Sequence, residues 1–281
     1  MDADFKRYKL SHFQHSTTLN SWIIPTFEFM SGIYVHIPFC TQACHYCDFH
    51  FSTSFGFRND IVNKIAEELV LRQNYLESEV QSIYFGGGTP SILNETELAH
   101  VLDAIHEFFD IHPEAEITLE ANPDDLSFDK LHSLKQAGIN RLSVGIQSFR
   151  DEDLKLMNRA HNSAEAKNCL SVAKDVGFNN ISADLIYGIP ELTLSDFQSN
   201  VRELLSHGVQ HISAYGLTIE NKTAFGKWAK DGRLKVESDE SYFEQFKLLR
   251  KELLSAGFDH YETSNFCLPG FESKHNSSYW K

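Results

Sequence analysis

The sequence predicts an α/β fold built around one parallel sheet, and three observations predict it. Six short runs rich in β-branched and aromatic residues recur along the chain, amphipathic stretches of helical period lie between them, and glycines or capping residues mark the joins. A strand followed by a helix, repeated, requires parallel neighbours, because a parallel pair needs a long crossover and a helix supplies it. Periodicity leaves open whether the sheet lies flat and doubly wound or curls into an open barrel.

Residues 1–29 carry no hydrophobic period and read as an N-terminal extension outside the fold, which begins at Met30. The first strand is GIYVHI (32–37), followed by a helical pattern over 59–75. SIYF (82–85) is the second strand and 95–109 the second helix, its start marked by Asn94 and Glu97 in capping-box spacing. EITLE (116–120) and RLSVGI (141–146) are strands three and four, with a helical pattern between them that stops before Gly138. A short helix follows strand four, and a longer one over 164–176 ends before Gly177. ISADLIYG (181–188), a helix over 196–205 and HISAYGL (211–217) complete the set, and HYETSNF (260–266) is a candidate seventh strand.

At 281 residues, 42% hydrophobic and 23% charged, the chain can bury about 75% of its unfolded surface and needs no staples to fold. Its 25 basic and 39 acidic residues give a net charge of −14 with no Lys/Arg-rich run, which argues against nucleic acid as a partner. Five cysteines, an odd set, and an N-terminus without a signal or spanning segment point to a soluble protein of a reducing cytoplasm. Neither a membrane association nor an oligomeric state is encoded in a recognisable motif.

The densest chemistry lies in CTQACHYCDFHF (40–51), which gathers Cys40, Cys44 and Cys47 on one loop. Three thiolates placed this closely can hold three corners of a [4Fe–4S] cube and leave the fourth iron open. A Cys3His zinc site completed by His36, His45 or His50 is the rival, and three small buried hydrophobes are the plain alternative. Cys169, in a helical pattern, and Cys267, near a loop, read as structural thiols.

CTQACHYC, with Tyr46 just before the last cysteine, resembles the cluster loop of the radical S-adenosylmethionine (SAM) family. Preceded by YVHIPF and followed in order by FGGGTPS, LEANP, GIQSF, NR, DLIYGIP and HNSSYW, it is similar to one branch of that family from Gly32 to Trp280. That branch contains oxygen-independent coproporphyrinogen III oxidases and HemW-type heme chaperones. The resemblance implies an open parallel (β/α)6-type partial barrel over 30–266, with 267–281 the start of a C-terminal region that is cut short. It also implies a [4Fe–4S] cluster on Cys40, Cys44 and Cys47, with SAM at the open iron.

Glu120, Gln147 and Asp184 fall at or just beyond the ends of strands three, four and five, and Arg159 follows the short helix after strand four. In parallel α/β folds polar groups arriving at those ends converge on one ligand. Gly86, Gly87 and Gly88 follow the second strand and read as a backbone cradle that a ligand can approach closely, with a tight turn as the plainer alternative. Carried over position by position, the resemblance makes Tyr34, Tyr46, Gly87, Gly88, Thr89, Glu120, Gln147, Arg159 and Asp184 contacts of SAM. Bulk at Gly87 is then expected to fill the ligand's space. HNSSYW (275–280) matches a motif associated with heme in HemW-type chaperones. His275 would be an axial ligand that protonates at about 6.5, and Tyr279 and Trp280 would cover the macrocycle. Packing at a domain edge is the structural alternative for this motif.

The implied function is a heme chaperone that binds a cluster, SAM and heme and passes heme to apo-heme-protein acceptors. Coproporphyrinogen III oxidase, an enzyme of porphyrin biosynthesis, is the alternative; its pattern continues Cys-x-Cys, whereas Cys47 is followed by Asp48 and Phe49, so that activity is not expected. A zinc-dependent interaction module is the alternative of another class, and it leaves the strand-end residues unexplained.

Overall fold

A computed structural model describes residues 31–278; the extension assigned to 1–29, Met30, and the Tyr279 and Trp280 of the tail motif lie outside the described residues. Six strands run parallel and in chain order: β1 (Ser31–Ile37), β2 (Val80–Gly87), β3 (Ile111–Ala121), β4 (Arg141–Gln147), β5 (Ile181–Tyr187) and β6 (His211–Gly216). Every crossover steps one strand in the same direction, and parallel crossovers are right-handed, so the connecting helices fall on one face of the sheet. A doubly wound sheet reverses its strand order to cover both faces. This one does not, and it curls as an open partial barrel.

The segment expected to hold a seventh parallel strand forms two short ones instead, β7 (Asp259–His260) and β8 (Asn265–Cys267), paired antiparallel to each other. β8 lies antiparallel beside β6, and β1 and β7 are the open edges. The link over 261–264 is too short for the helical crossover that parallel pairing requires.

Strand register separates the two faces. Phe85, Leu119, Leu142, Val144, Leu185 and Ile212 belong to one continuous buried core beneath the helices. Each such side chain contributes about 1.5–3 kcal/mol of burial. The alternate positions, which register brings side by side as Ser82 with Glu116, Glu120 with Ser143, and Asp184 with Ser213, share the concave face. That face is polar, and some of its groups find partners on it: Ser182 Oγ is 2.7 Å from His211 Nδ1, and His211 Nε2 is 2.7 Å from the Tyr261 hydroxyl, whereas Thr118 Oγ1 and Arg141 Nε are buried there without a hydrogen-bond partner among the described residues.

Helices α1 (Arg58–Leu71) and α2 (Glu95–Phe108) pack together on the outer face. α2 starts in the expected capping box, Glu97 N donating to Asn94 Oδ1 and Asn94 N to Glu97 Oε2, both at 2.9 Å. α1 ends at Leu71, short of its sequence pattern, where the Arg72 N–H closes the last turn on Glu68 and Leu69. Then come α3 (Phe128–Gln136), α4 (Asp151–Leu156), α5 (Ser163–Asp175), α6 (Leu194–Ser206), α7 (Ala224–Lys230) and α8 (Asp239–Ser255). The last turn, α9 (Lys274–Ser278), returns to the sheet, where Lys274 N donates to Glu116 Oε1 at 3.1 Å.

Candidate cluster and cofactor site

The cysteine loop leaves the end of β1 and is clamped from two sides. On one side it grips the end of α4: Gln42 Nε2 donates to Asn158 O at 3.0 Å, Asn158 Nδ2 to Ala43 O at 2.7 Å, and His45 N to Met157 O at 3.0 Å. Asn158 takes a left-handed φ of 56°, which asparagine tolerates. On the other side Phe225 N, in α7, donates to His45 O at 2.9 Å, and the His45 ring meets Trp228 edge-on at 4.6 Å. His45 Nδ1 donates to Leu156 O at 2.9 Å, so this ring serves the clamp.

Cys40, Cys44 and Cys47 are free, half-buried thiols. A run of hydrogen bonds joins two of them. Arg159 Nη1 donates to Cys44 Sγ at 3.5 Å and Arg159 Nη2 to Asn122 Oδ1 at 2.6 Å. Asn122 Nδ2 donates to Thr89 Oγ1 at 3.3 Å, and Thr89 Oγ1 to Cys40 Sγ at 3.4 Å. Burial pushes the Cys40 and Cys47 thiols up, and the Thr89 hydroxyl works against this at Cys40. A cationic metal centre would invert that preference and favour thiolates. Among the described residues no group of three or more His, Cys, Asp or Glu side chains is arranged to hold a single metal ion.

The thiols open onto a cavity of about 560 Å³ at the carboxyl ends of the strands. Tyr46, Gly87, Gly88, Thr89, Glu120, Gln147, Arg159 and Asp184 all line it with the three cysteines. Tyr34 is not among the lining residues. It pairs across the sheet with Tyr84, a layer below, and its hydroxyl is 3.2 Å from His36 Nδ1.

The glycine run differs from expectation. Gly86 and Gly87 are the last residues of β2 and do not follow it. A Cβ on Gly87 would come within 2.6 Å of the His36 ring, and one on Gly88 within 2.6 Å of Phe39 O and 2.8 Å of Phe39 N. The absent side chains therefore make room for β1 and the start of the cysteine loop, while the backbone of Gly87 and Gly88 faces the cavity.

Glu120 is fixed through both oxygens: the Tyr84 hydroxyl donates to Oε1 at 2.8 Å and Gly87 N to Oε2 at 3.2 Å. Burial raises its carboxyl. Asp184 is pushed up to about 7 by burial and by the nearby Glu120, with Arg141 pulling the other way. Burial opposes the charge of the Arg159 guanidinium, but the Tyr46 hydroxyl and the Cys44 sulfur beside it more than restore it. The cavity thus offers thiols on one wall and a fixed carboxylate, an amide and a guanidinium on the others. Such a donor set can hold an iron–sulfur cube at three corners and grip an ammonium, a carboxylate and hydroxyl groups beyond it.

Sequence reasoning passed over Asn122 and Gly145. Asn122 stands two residues past Glu120, where its position at a strand end was the available signal. A Cβ on Gly145 would come within 2.9 Å of Gln147 Nε2 and 3.1 Å of Arg159 Nη2, so glycine there leaves both side chains their place. Phe49, 73% exposed, sits at the cavity rim. Cys169 and Cys267 are buried on α5 and β8, away from the cavity.

His275 is half-buried on α9 and does not line the cavity. Its ring stacks on Tyr34 at 5.7 Å, and burial together with Arg141 lowers its pKa to about 4, below the ordinary value expected from sequence.

Residues 34–204, more than half the chain, match the model of the Radical SAM superfamily. The heme chaperone HemW of Bacillus subtilis is 37% identical over 258 residues, 89% of this chain and 67% of that protein. The heme chaperone HemW of Escherichia coli is 34% identical over 253 residues, 89% of this chain and 66% of the relative. Among solved structures, coproporphyrinogen III oxidase (HemN) from Escherichia coli, a radical SAM enzyme, superposes with a TM-score of 0.78 at 27% identity, covering 87% of this chain and 57% of that one. The chain spans about two thirds of the length of the curated relatives it matches. With its strand order, its three-cysteine loop and these matches in agreement, the chain belongs to the radical SAM superfamily and groups within it with the HemW proteins.

Proposed function

We propose that this chain holds a [4Fe–4S] cluster on Cys40, Cys44 and Cys47 and SAM in the adjoining cavity, and that it binds heme and passes it to acceptor proteins. The observation that carries the reading is the convergence of the three thiols with Glu120, Gln147, Arg159 and Asp184 on one cavity. When bound, such a cluster supplies an open iron for the amino and carboxylate groups of SAM and, when reduced, an electron. The chain's own residues hold and orient. Arg159 and Thr89 donate to two of the sulfurs and so orient them, and Glu120, its oxygens already pinned by Tyr84 and Gly87, is preset to accept from an ammonium or a hydroxyl. The engagement of His45 with Leu156 and Trp228 weighs against a zinc site completed by that ring.

Heme delivery, and not porphyrinogen oxidation, is supported by the names of the relatives and by Phe49 in place of the second cysteine of a Cys-x-Cys pair. The likeness to HemN favours oxidation as the second reading. Anaerobic reconstitution with iron and sulfide counting, then heme titration and a coproporphyrinogen III assay with SAM and reductant on the same sample, separates them. About four irons per chain, saturable heme binding and no protoporphyrinogen are expected. Multiple turnovers to protoporphyrinogen establish the oxidase, and a zinc-replete protein without iron removes both.

A further inference from the structure

β4 does not end in an ordinary way. Gln147 is a non-glycine residue at φ 66°, and across it Ser148 N donates to Ile146 O at 2.8 Å. An i to i+2 hydrogen bond around a left-handed residue is a γ-turn of the rare, strained hand. Such a conformation lasts only where its surroundings over-determine it.

Two anchors do so here. On the far side, Ser148 Oγ donates to Asp153 Oδ2 at 2.6 Å and accepts from Asn200 Nδ2 at 2.9 Å. On the near side His161, 3% exposed, places Nε2 3.0 Å from Ile146 O, the carbonyl that closes the turn. A carbonyl cannot donate, so Nε2 carries the hydrogen. His161 Nδ1 is buried without a hydrogen-bond partner among the described residues, and a proton there would be stranded, so the ring is neutral and is held as a single-direction donor. Burial and the Arg159 charge lower its pKa to about 4, in agreement with that state.

The turn has a consequence for the cavity. Alternation along β4 already puts Gln147 on the cavity face with Ser143 and Gly145, and the left-handed step at its end sets where on that face its amide lies, beside Gly145 and the Arg159 guanidinium. We infer that His161 is a positioning residue, which by holding the Ile146 carbonyl fixes the strained turn that presents the Gln147 amide to SAM. This rests on the reading of the cavity as a SAM site.

The test uses the reconstituted protein, SAM titration by calorimetry, and crystal structures of the variants. His161→Phe keeps the ring volume and removes the donor. Its SAM affinity is expected to fall about fivefold to tenfold with the iron count unchanged. His161→Gln, whose amide reaches the carbonyl, restores affinity to within about twofold, while the shorter His161→Asn does not. In a Gln147→Ala background, His161→Phe adds almost nothing, because the two residues act as one unit. The crystal structure of His161→Phe shows Gln147 away from its left-handed φ. Wild-type affinity in a folded His161→Phe, or full additivity with Gln147→Ala, overturns the inference. If His161→Phe does not fold, the Gln and Asn variants decide it, equal affinity in the two being the adverse result. Failure of the wild-type protein to bind SAM at all strikes the cavity reading instead, and the φ at Gln147 in the variants then decides whether His161 holds the turn.

Discussion

The ring of His275 lies 4.2 Å from that of Tyr84, with the two planes 23° apart. The same tyrosine donates its hydroxyl to Glu120, so one side chain is packed against the tail motif and bonded to the cavity carboxylate.

Burial of the His275 ring and the charge of Arg141 set a pH dependence. The folded pKa of His275 is depressed to about 4, whereas in the unfolded chain it takes the ordinary value of about 6.5. Between those values the unfolded state binds more protons, so the stability associated with this ring is present above pH 6.5 and is lost as the pH falls toward 4. His275→Phe keeps a stacked ring without titrating. Urea unfolding at pH 7.5 and pH 5 should show the variant gaining about 1 kcal/mol on the wild type at the lower pH, a figure reduced for the ring's partial exposure. An unchanged difference between the two pH values counts against the stacked, neutral ring.

Tyr84→Phe removes one of the two donors to Glu120 and leaves the ring in place. The carboxylate is then less fixed and its pKa rises further. SAM affinity is expected to fall about fivefold, with the deficit growing as the pH is lowered, read by titration at two pH values.

Replacing Cys40, Cys44 or Cys47 singly by Ala should abolish the reconstituted cluster, measured as iron and sulfide per chain. Cys169→Ala and Cys267→Ala should retain it, because both thiols are buried away from the cavity. Removing the cluster with a chelator should also remove the spectral response to SAM. Iron loss in Cys169→Ala would reassign a ligand.

Gly88→Ala tests the close approach of the glycine run to the cysteine loop. Its Cβ would meet the Phe39 backbone at 2.6 Å and 2.8 Å, and backbone cannot swing aside as a side chain can. A loss of about 1–3 kcal/mol in unfolding free energy is expected even without SAM. Normal stability combined with blocked SAM binding would mean that the added carbon faces the ligand.

The fold was legible where period and punctuation agree. Asn94 and Glu97 marked the start of α2 to the residue, and six strand-like runs became six parallel strands. The return strands were not legible as two, since β7 and β8 are too short for a pattern to establish itself and owe their pairing to β6. At the site, Glu120 and Asp184 stood out because a carboxylate at a buried strand end needs a reason. Tyr34 fell outside because one layer along a strand is two residues, and sequence does not say which layer is the cavity floor. His161 was invisible for a different cause: its role depends on a carbonyl fifteen positions away, and nothing local to Arg159–Ala160–His161 announces it.

The clamp between the cysteine loop and the end of α4 joins residues 115 positions apart, as in Arg159 with Cys44. During synthesis the three thiols therefore leave the ribosome well before their partners exist. At about 5–20 residues per second the interval is on the order of ten seconds. Through that window the loop has neither the Arg159 guanidinium nor the α7 side of its clamp, and its cysteines are less shielded from oxidation or stray metal. The cluster proposed for these thiols would reach its final setting only once the residues through Arg159 exist, so its loading would follow the first four strands.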